Sequence, residues 1–259
     1  MLKKIILIKF GGGLISDKTA INKANLETIK DLSNQIKEIV DKNKNYSLIL
    51  ATGAGGFGHP VAKKYINNLT EGRPLIKKAV KEINNIVVSS LKKNGLRALS
   101  VEPSTISEYK NKRLIYFFDK LILAWLNSGI IPVFHADLID DKELGMSILS
   151  MDKYMADLAI HLKQKGFTIA EVIFAGTTDG VIGQDRKIIT NIKDDLSNIN
   201  KYFFKTPGVD VSGGMKKKVE IAINLSKFGI KSYIISGQKI KDLILNNQSS
   251  GTQILPIKD

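Results

Sequence analysis

The chain has 259 residues, of which 43% are hydrophobic and 25% charged, and its formal net charge is +14 at pH 7. These values are typical of a globular protein with a core large enough for one α/β domain or two lobes. The sequence contains no cysteine, which excludes disulfides, thiolate catalysis and cysteine-based metal sites and is compatible with the cytoplasm. No apolar run reaches transmembrane length, so we expect no insertion into a membrane.

Lysine carries almost all of the basic charge. Only four of the 39 basic residues are arginine, and the lysines are spread over every predicted helix. No motif typical of a DNA- or RNA-binding module accompanies them. Because the chain is so basic, a nucleic-acid-binding module stays open as an alternative function. We interpret the lysines as a solvated surface that would also attract anionic phosphate substrates, and we expect no specific nucleic-acid partner.

The first predicted element is a buried strand, residues 5–8, that runs into a glycine turn. Lys9 ends the strand, Lys18 follows the turn, and neither a GxxxxGK[ST] loop nor a GxGxxG fingerprint is present. The turn itself consists of Gly11, Gly12 and Gly13. Bare backbone amides beside lysines are suited to binding phosphate, so the pattern predicts one half of a site that holds two phosphates.

A second glycine turn follows the next predicted strand. A helix over 22–43 returns the chain to a strand over 46–51, which runs into ATGAGGFGHP at positions 51–60. Four of the six residues from 53 to 58 are glycine, and His59 is the only titratable side chain of the loop. The β-α-β order predicts parallel strands with right-handed crossovers, so both turns should lie at the carboxyl edge of one sheet. The alternative is a tight turn with a structural histidine.

The remainder of the first half alternates helices and strands. The predicted elements are a helix end and loop at 61–72, helices over 73–94, 114–128 and 152–166, strands over 96–101 and 131–135, and a hairpin over 138–149. Asp152 opens the last of these helices, where a carboxylate suits the helix dipole. We interpret His135, at a strand end, and His161, on that helix, as structural residues.

A second lobe begins near Gly166. Its predicted elements are strands over 169–175, 232–236 and 252–257, helices over 213–228 and 238–247, and a hairpin near Gly183. The turn TTDGV occupies positions 177–181, and Ser212 is a candidate N-cap for the helix that follows it. The helices and strands again alternate, which extends the α/β pattern to the end of the chain.

The segment DVSGGMKKK at positions 210–218 resembles the GGMxxK segment of the amino acid kinase superfamily. With KFGG at 9–12 and GFGHP at 56–60, the chain resembles the isopentenyl phosphate kinases over essentially its whole length. The resemblance implies an α/β fold, a three-layer αβα sandwich with an open, mainly parallel central sheet. It also implies a single domain, 1–259, with an acceptor-binding lobe (1–166), a nucleotide-binding lobe (167–259) and assembly as a homodimer.

The resemblance further implies an activity and its residues. The reaction would be phosphorylation of isopentenyl phosphate to isopentenyl diphosphate by ATP with Mg²⁺, in the mevalonate route to isoprenoids, without a protein-based metal site. The catalytic residues would be Lys9, Lys18, His59, Asp152 and Lys218. The ATP-binding residues would be Lys9, Gly11, Gly12, Gly13, Lys18, Asp179, Gly180, Gly214 and Lys218. The acceptor would contact Ala54, Gly55, Gly58 and His59, and its prenyl chain would contact Ile76, Val80 and Ile83.

The chain departs from the family pattern at several positions. They are Gly13 in place of serine, Ala54 in place of a loop glycine, Met151 and Lys153 around Asp152, and Gly176 and Thr177 before Asp179. Two alternatives therefore stay open. One is a kinase of another small phosphate or phosphonate, similar to fosfomycin kinase, and the other is a non-catalytic nucleotide-binding member of the fold. A pure binder would not need the full set of lysines, His59 and Asp152, which favours a kinase.

Overall fold

The computed structural model describes residues 3–17, 20–193, 199, 202, 212–248 and 251–256. Its strands are β1 (Lys4–Phe10), β2 (Tyr46–Thr52), β3 (Ala98–Val101), β4 (Ser107–Lys110), β5 (Arg113–Phe117), β6 (Ile131–His135), β7 (Asp137–Asp141), β8 (Gly145–Leu149), β9 (Ile169–Gly176), β10 (Asn191–Ile192), β11 (Ser232–Ser236) and β12 (Thr252–Ile254). Its α-helices are α1 (Gly12–Ile15), α2 (Leu26–Lys42), α3 (Gly55–Lys64), α4 (Leu69–Lys93), α5 (Asp119–Asn127), α6 (Met151–Gln164), α7 (Ser212–Lys227) and α8 (Ile240–Asn246).

The centre of the fold is an eight-stranded sheet in the order β10-β12-β11-β9-β1-β2-β6-β3. Its ladders are parallel except the one between β11 and β12. The predicted open, mainly parallel sheet is therefore confirmed. The middle strands are mostly apolar because helices cover both of their faces.

Alternate residues of β1 face opposite helical layers, as the period of two in a strand requires. Ile5 and Leu7 pack in a core with residues of α6 and α7, whereas Ile6 and Ile8 pack with residues of α2, α4 and α8. The expected three-layer αβα order is therefore present. The C-terminal ends of the parallel strands form one edge, and the loops and helix starts above that edge carry the candidate residues.

A second, four-stranded sheet in the order β5-β4-β7-β8 corrects one prediction. The helix predicted over 114–128 is wrong for its first residues, because β5 occupies Arg113–Phe117 and α5 begins only at Asp119. The β-branched and aromatic residues of this stretch suit a strand. Phe117 in β5 is buried, whereas Phe118, between β5 and α5, is 43% exposed.

The turn between β4 and β5 explains why a strand forms there. Asn111 and Lys112 have φ angles of 50° and 60°, the left-handed pair that closes a tight hairpin. The carboxylate of Asp141, at the end of β7, accepts hydrogen bonds from the backbone N–H groups of both residues, at 2.9 and 2.7 Å. The apolar periodicity of residues 114–128 cannot show this contact with Asp141, because the two segments are far apart in the sequence.

The segment predicted as a helix end and a loop at 61–72 is also largely helical. Helix α3 continues to Lys64, and α4 begins at Leu69 after Asn68, whose side chain accepts a hydrogen bond from the N–H of Glu71. Other predicted helices and strands differ from the observed ones by a few residues at their ends. Helix α7 begins at Ser212, but the side chain of Ser212, on which its predicted N-cap role depends, and the end of the strand predicted over 252–257 lie outside what the structure describes. Within the described part of the chain, the helices are too short or too polar to cross a membrane.

Candidate active site

The two glycine turns lie side by side, as predicted. Strands β1 and β2 are parallel neighbours, with Lys9 opposite Ala51 and Phe10 opposite Thr52. The N–H of Gly53, just after β2, donates to the carbonyl of Phe10 at 2.9 Å. The chain therefore leaves the sheet at the same level in both strands, and the two turns begin next to each other.

Beyond the sheet the turns touch through their backbones. A Cβ atom on Gly12 would lie 2.3 Å from the backbone nitrogen of Gly55, and one on Gly53 would lie 2.5 Å from the nitrogen of Gly12. Gly55 has a φ of +51° and would place its Cβ 2.1 Å from the hydroxyl of Ser16. Side chains at these three positions would push the turns apart, which is why the sequence has glycine there.

Each turn opens a helix. Gly12 and Gly13 form the first turn of α1, and Gly55 begins α3. The first N–H groups of a helix lack partners within it, which favours an anion at that end of a helix as long as α3. The N–H of Gly58 instead donates to the carbonyl of Ala54 at 2.9 Å.

Gly58 is explained by packing. A Cβ there would lie 2.6 Å from Cγ1 of Val80 and 2.7 Å from Cβ of Ala54, so its absence lets α4 approach α3. His59 is exposed on the next position of α3. The contact between Gly58 and Val80 therefore packs the middle of α4 against the turn that carries His59.

Lys9 and Asp152 form a partly buried ion pair at the centre of the sheet's carboxyl edge. Nζ of Lys9 lies 2.9 Å from Oδ1 of Asp152, and the two side chains are only 10% and 18% exposed. Asp152 is the second residue of α6, so its carboxylate also interacts favourably with the helix dipole. The strand end fixes the lysine, and the helix start fixes the carboxylate.

Two further lysines, Lys217 and Lys218 of α7, also act on the carboxylate of Asp152. Burial alone would raise the pKa of Asp152, but the nearby ammonium groups of Lys9, Lys218 and Lys217 outweigh burial and hold the pKa below its ordinary value. Lys218 extends from α7 until its Nζ lies 3.8 Å from where a Cβ on Gly176 would be. Residues far apart in sequence thus form one cationic cluster around an ionised aspartate.

Three of the predicted nucleotide-binding residues lie in the second half of the described chain. Asp179 is exposed, and a Cβ on the buried Gly180 would lie 2.8 Å from the hydroxyl oxygen of Thr252. That hydroxyl accepts a hydrogen bond from the N–H of Val181 at 2.8 Å, which anchors the turn. Gly214 is exposed in the first turn of α7, and a Cβ there would meet open space. Lys18 lies outside the described residues.

The three residues predicted along the prenyl chain are all buried. Ile76, Val80 and Ile83 are 3%, 2% and 0% exposed. Ile83 belongs to the core between the sheet and the layer of α2 and α4, so packing accounts for it. Val80 belongs to the core on the opposite face of the sheet, where α4 passes behind the second glycine turn.

A partly buried charged cluster that the sequence did not reveal lies beside Ile76. Nζ of Lys77 is 2.5 Å from Glu102 and 3.4 Å from Asp137, and the carboxylate of Asp137, which is buried, requires such pairing. His135 lies nearby, 1% exposed, with Nδ1 2.9 Å from the carbonyl of Ala136. Burial lowers the pKa of His135, which favours the neutral ring of a structural residue.

Other residues around the site also have structural partners. Burial lowers the pKa of His161, and its ring lies edge-on to Phe117, with centroids 5.7 Å apart. Lys153, which replaces the aspartate usual in the family, pairs with Asp157 at 2.5 Å. Among the residues that the structure describes, no three His, Cys, Asp or Glu side chains are grouped to hold a metal ion.

Sequence reasoning missed two residues of this region. Lys217 adds to the field on Asp152, and the run of three lysines in the GGMKKK segment was the available signal. Ser16 lies between the two glycine turns, and a serine after a glycine turn carries no signal that distinguishes it from any other serine.

Comparison with known proteins agrees with this geometry. The sequence model of the amino acid kinase family matches residues 4–236. Isopentenyl phosphate kinase of Methanocaldococcus jannaschii is 29% identical over an alignment of 265 positions, which covers 96% of this chain and 98% of that protein. The isopentenyl phosphate kinase of Methanothermobacter thermautotrophicus is 29% identical over an alignment of 279 positions, again with 96% and 98% covered. A solved structure of isopentenyl phosphate kinase has the same fold, with a TM-score of 0.79 at 24% identity over 96% of this chain and 100% of that one.

Proposed function

The chain belongs to the amino acid kinase family, and from that premise we propose that it is an ATP-dependent kinase that converts isopentenyl phosphate to isopentenyl diphosphate. Two curated relatives that match almost the full chain are isopentenyl phosphate kinases, which supports this acceptor. The product would enter isoprenoid biosynthesis by the mevalonate route. ATP as donor and a cysteine-free chain both fit the cytoplasm.

The observation that carries the proposal is the contact between the two glycine turns above a cationic cluster. Phosphoryl transfer between two phosphates needs the acceptor and the donor close together and their mutual repulsion neutralised. The backbone contact between Gly12 and Gly55 supplies the proximity. Lys9 and Lys218, both beside Asp152, supply the positive charge.

The chemistry needs no strong base. A phosphate monoester has its second pKa near ~6, so the acceptor is mostly a dianion at neutral pH. One of its oxygens would attack the γ-phosphorus of ATP, a new P–O bond would form, and the bond to the β-phosphate oxygen would break with release of ADP. No proton has to be removed from the acceptor for this exchange to balance.

Each candidate residue receives a role that matches its place. Lys9 would neutralise the transferred group, while Lys218 and Lys18 would bind the phosphates of ATP. Asp152 would orient the lysines instead of accepting a proton, which agrees with its lowered pKa. His59 would donate a hydrogen bond to the acceptor phosphate.

The remaining binding residues follow from the same arrangement. Gly11, Gly12 and Gly13 would face the ATP phosphates, with Asp179, Gly180 and Gly214 nearby in the nucleotide-binding lobe. Ala54 and Gly55 would face the acceptor phosphate. For the prenyl chain, Val80 is better placed than Ile83, because Val80 packs against Gly58 of the second glycine turn, whereas Ile83 packs in the core that the sheet forms with α2 and α4. Ile76 lies four residues before Val80 on the same helix.

Mg²⁺ would arrive with ATP. The described residues offer no cage of carboxylates for it, and Mg²⁺ in kinases is commonly held by substrate phosphates with one or two carboxylates. Bound to ATP, it would supply charge neutralisation of the phosphates. The chain's own residues would hold those phosphates in position.

We also propose a homodimer. Strand β3 is the last strand at one edge of the large sheet, and Leu99 on it is 36% exposed. An exposed edge strand is a surface that proteins commonly cover. Light scattering coupled to size-exclusion chromatography should give the mass of two chains, and the mass of one chain would contradict the proposal.

The decisive experiment is an ADP-release assay on the purified protein with ATP and Mg²⁺. The acceptors to compare are isopentenyl phosphate, dimethylallyl phosphate, fosfomycin, acetylglutamate and UMP. We expect isopentenyl phosphate to give the highest kcat/KM, with a diphosphate product visible by ³¹P NMR. Higher kcat/KM for fosfomycin or UMP would move the chain to another kinase activity, and nucleotide binding without ADP release would make it a non-catalytic member.

A further inference from the structure

We propose that Ser16 is a positioning residue that holds the two glycine turns at the separation required for phosphoryl transfer. The inference rests on the proposed function, because it takes one turn as the acceptor side and the other as the donor side. Ser16 is fully buried and follows helix α1 directly. Both hydrogen bonds of its hydroxyl are to backbone groups of the turns, so its effect on the reaction would be indirect.

The hydroxyl of Ser16 links the two turns. Its Oγ donates to the carbonyl of Gly12 at 2.8 Å and accepts from the N–H of Gly56, also at 2.8 Å. The single hydroxyl proton is used in the first bond, and a lone pair is used in the second. Gly12 belongs to the first turn and Gly56 to the second, so one oxygen atom bridges them.

The glycines at the contact between the turns leave no room for a side chain of their own. Gly12, Gly53 and Gly55 meet so closely that a Cβ on any of them would collide with backbone or with Ser16 itself. The hydroxyl that joins the turns therefore comes from Ser16, which lies next to this contact. Its oxygen would be 2.1 Å from a Cβ on Gly55, so it fills the space that this glycine leaves open.

Ser16 is itself held in place by its neighbours. Its backbone forms a bridge with Ala24, and the N–H of Asp17 donates to the carbonyl of Lys23 at 2.9 Å. The carbonyl of Gly56 accepts from the N–H of Asn22 at 3.3 Å. The segment after α1 thus binds both the N–H and the carbonyl of Gly56, and these contacts hold the Ser16 hydroxyl in position.

Loss of this hydroxyl should alter alignment more than binding. The amide of Gly56 and the carbonyl of Gly12 would be left in a buried place with one partner fewer, which favours a shift of one turn against the other. Each turn could still bind its own phosphate. In-line transfer, however, is sensitive to displacement, and a misplacement of about 1 Å costs on the order of 10²-fold in rate.

The test compares Ser16→Ala, Ser16→Thr and Ser33→Ala with the wild type. Ser33 is a matched control because it is also buried, at 2% exposure, but lies on α2 away from the turns. We expect Ser16→Ala to lower kcat by about 10²-fold with little change in the KM for ATP or for the acceptor. Ser16→Thr keeps the hydroxyl and should recover most of the loss, and Ser33→Ala should match the wild type.

Hydrogen exchange supplies a second measurement that does not depend on turnover. Amide exchange in a peptide that includes Gly56 should be faster in Ser16→Ala than in the wild type and in Ser33→Ala. If Ser16→Ala is too unstable for kinetics, amide exchange can still be compared at low temperature, and the kinetics of Ser16→Thr can still be measured.

Three results would overturn the inference. They are a kcat of Ser16→Ala within about twofold of the wild type, a loss confined to KM, or unchanged exchange near Gly56. Failure of the proposed function would look different. In that case the wild type itself would not use isopentenyl phosphate, and the Ser16 comparison would proceed with whichever acceptor it does phosphorylate. If it phosphorylated none, unchanged exchange would overturn the bridge and faster exchange would support it.

Discussion

Nζ of Lys9 lies 2.9 Å from Oδ1 of Asp152, and this ion pair joins the end of the central strand to the start of helix α6. A lysine side chain is long and flexible, so a strand alone does not fix its ammonium group. The carboxylate supplies that restraint. The low pKa of Asp152 means that it keeps its negative charge at neutral pH and holds the ammonium group where a phosphate would arrive.

Lys9→Met should lower kcat by about 10²- to 10³-fold without unfolding the protein, because it removes a positioned charge from the transfer site. Steady-state kinetics at saturating ATP, with circular dichroism to check the fold, measures this. Lys37→Met is the control, because Lys37 pairs with Asp41 at 2.7 Å on the exposed face of α2 and should be nearly silent. Wild-type turnover in Lys9→Met would remove Lys9 from the transfer step.

Lys218→Met should also lower kcat strongly and should weaken binding of ATP, since this lysine belongs to α7, in the lobe proposed to bind the nucleotide. Isothermal titration with a non-hydrolysable ATP analogue and kinetics with the acceptor separate the two effects. Lys227→Met, at the other end of the same helix and exposed, controls for loss of one positive charge. Equal behaviour of the two variants would contradict a specific role for Lys218.

His59→Ala should remove a hydrogen bond to a charged group, worth about 1.5–3 kcal/mol. The kcat/KM for the acceptor should then fall by roughly 10- to more than 100-fold. His59→Gln keeps a neutral donor and should recover part of the loss. ATP affinity in the absence of acceptor should stay constant, and a fall in ATP affinity with intact acceptor binding would assign His59 to the nucleotide side.

Asp141 should make stability depend on pH in the acid range. Burial by itself raises the pKa of this carboxyl, but the N–H groups of Lys112, Glu143, Leu144 and Asn111 outweigh it and lower the pKa to about 2 from 3.8. A pKa lowered by folding stabilises the folded state above 3.8, and that stabilisation is lost as the pH falls through about 2.

The measurement for Asp141 is the free energy of unfolding of the wild type and of Asp141→Asn between pH 7 and pH 2. Asp141→Asn should be less stable at pH 7, and the difference should shrink as the pH falls below 3.8. Asp140→Asn is the neighbouring control, because Asp140 instead contacts Arg73 at the surface. A difference between wild type and Asp141→Asn that does not change with pH would contradict the assignment.

The large sheet could be predicted from the sequence because its signals are local. The apolar run at 5–8 and the strand at 46–51 end in glycines, and both features are visible without knowing what lies opposite them. The small sheet could not, since β5 is held by a turn that depends on Asp141, a residue about 30 positions further along the chain.

The site divides in the same way. Lys9 and His59 are marked by the turns that carry them, and resemblance supplied Asp152 and Lys218. The depth of Val80, Ile76 and Ile83 could not be predicted, because a helical period shows which face is apolar and does not show what covers it. The bridge through Ser16 requires the two turns to lie so close that one oxygen atom bonds to both, and this closeness is not visible in the sequence.

Strand β1 also limits how the molecule can open. It is paired on one side with β2 and on the other with β9, where Lys9 lies opposite Phe174, so two ladders join the strands on either side of it. A clamshell motion hinged at β1 would have to break one of these ladders. In the proposed kinase, entry of substrates and departure of ADP would therefore depend on loops and helix ends above the sheet, while the strands beneath the two phosphates would stay rigid through each turnover.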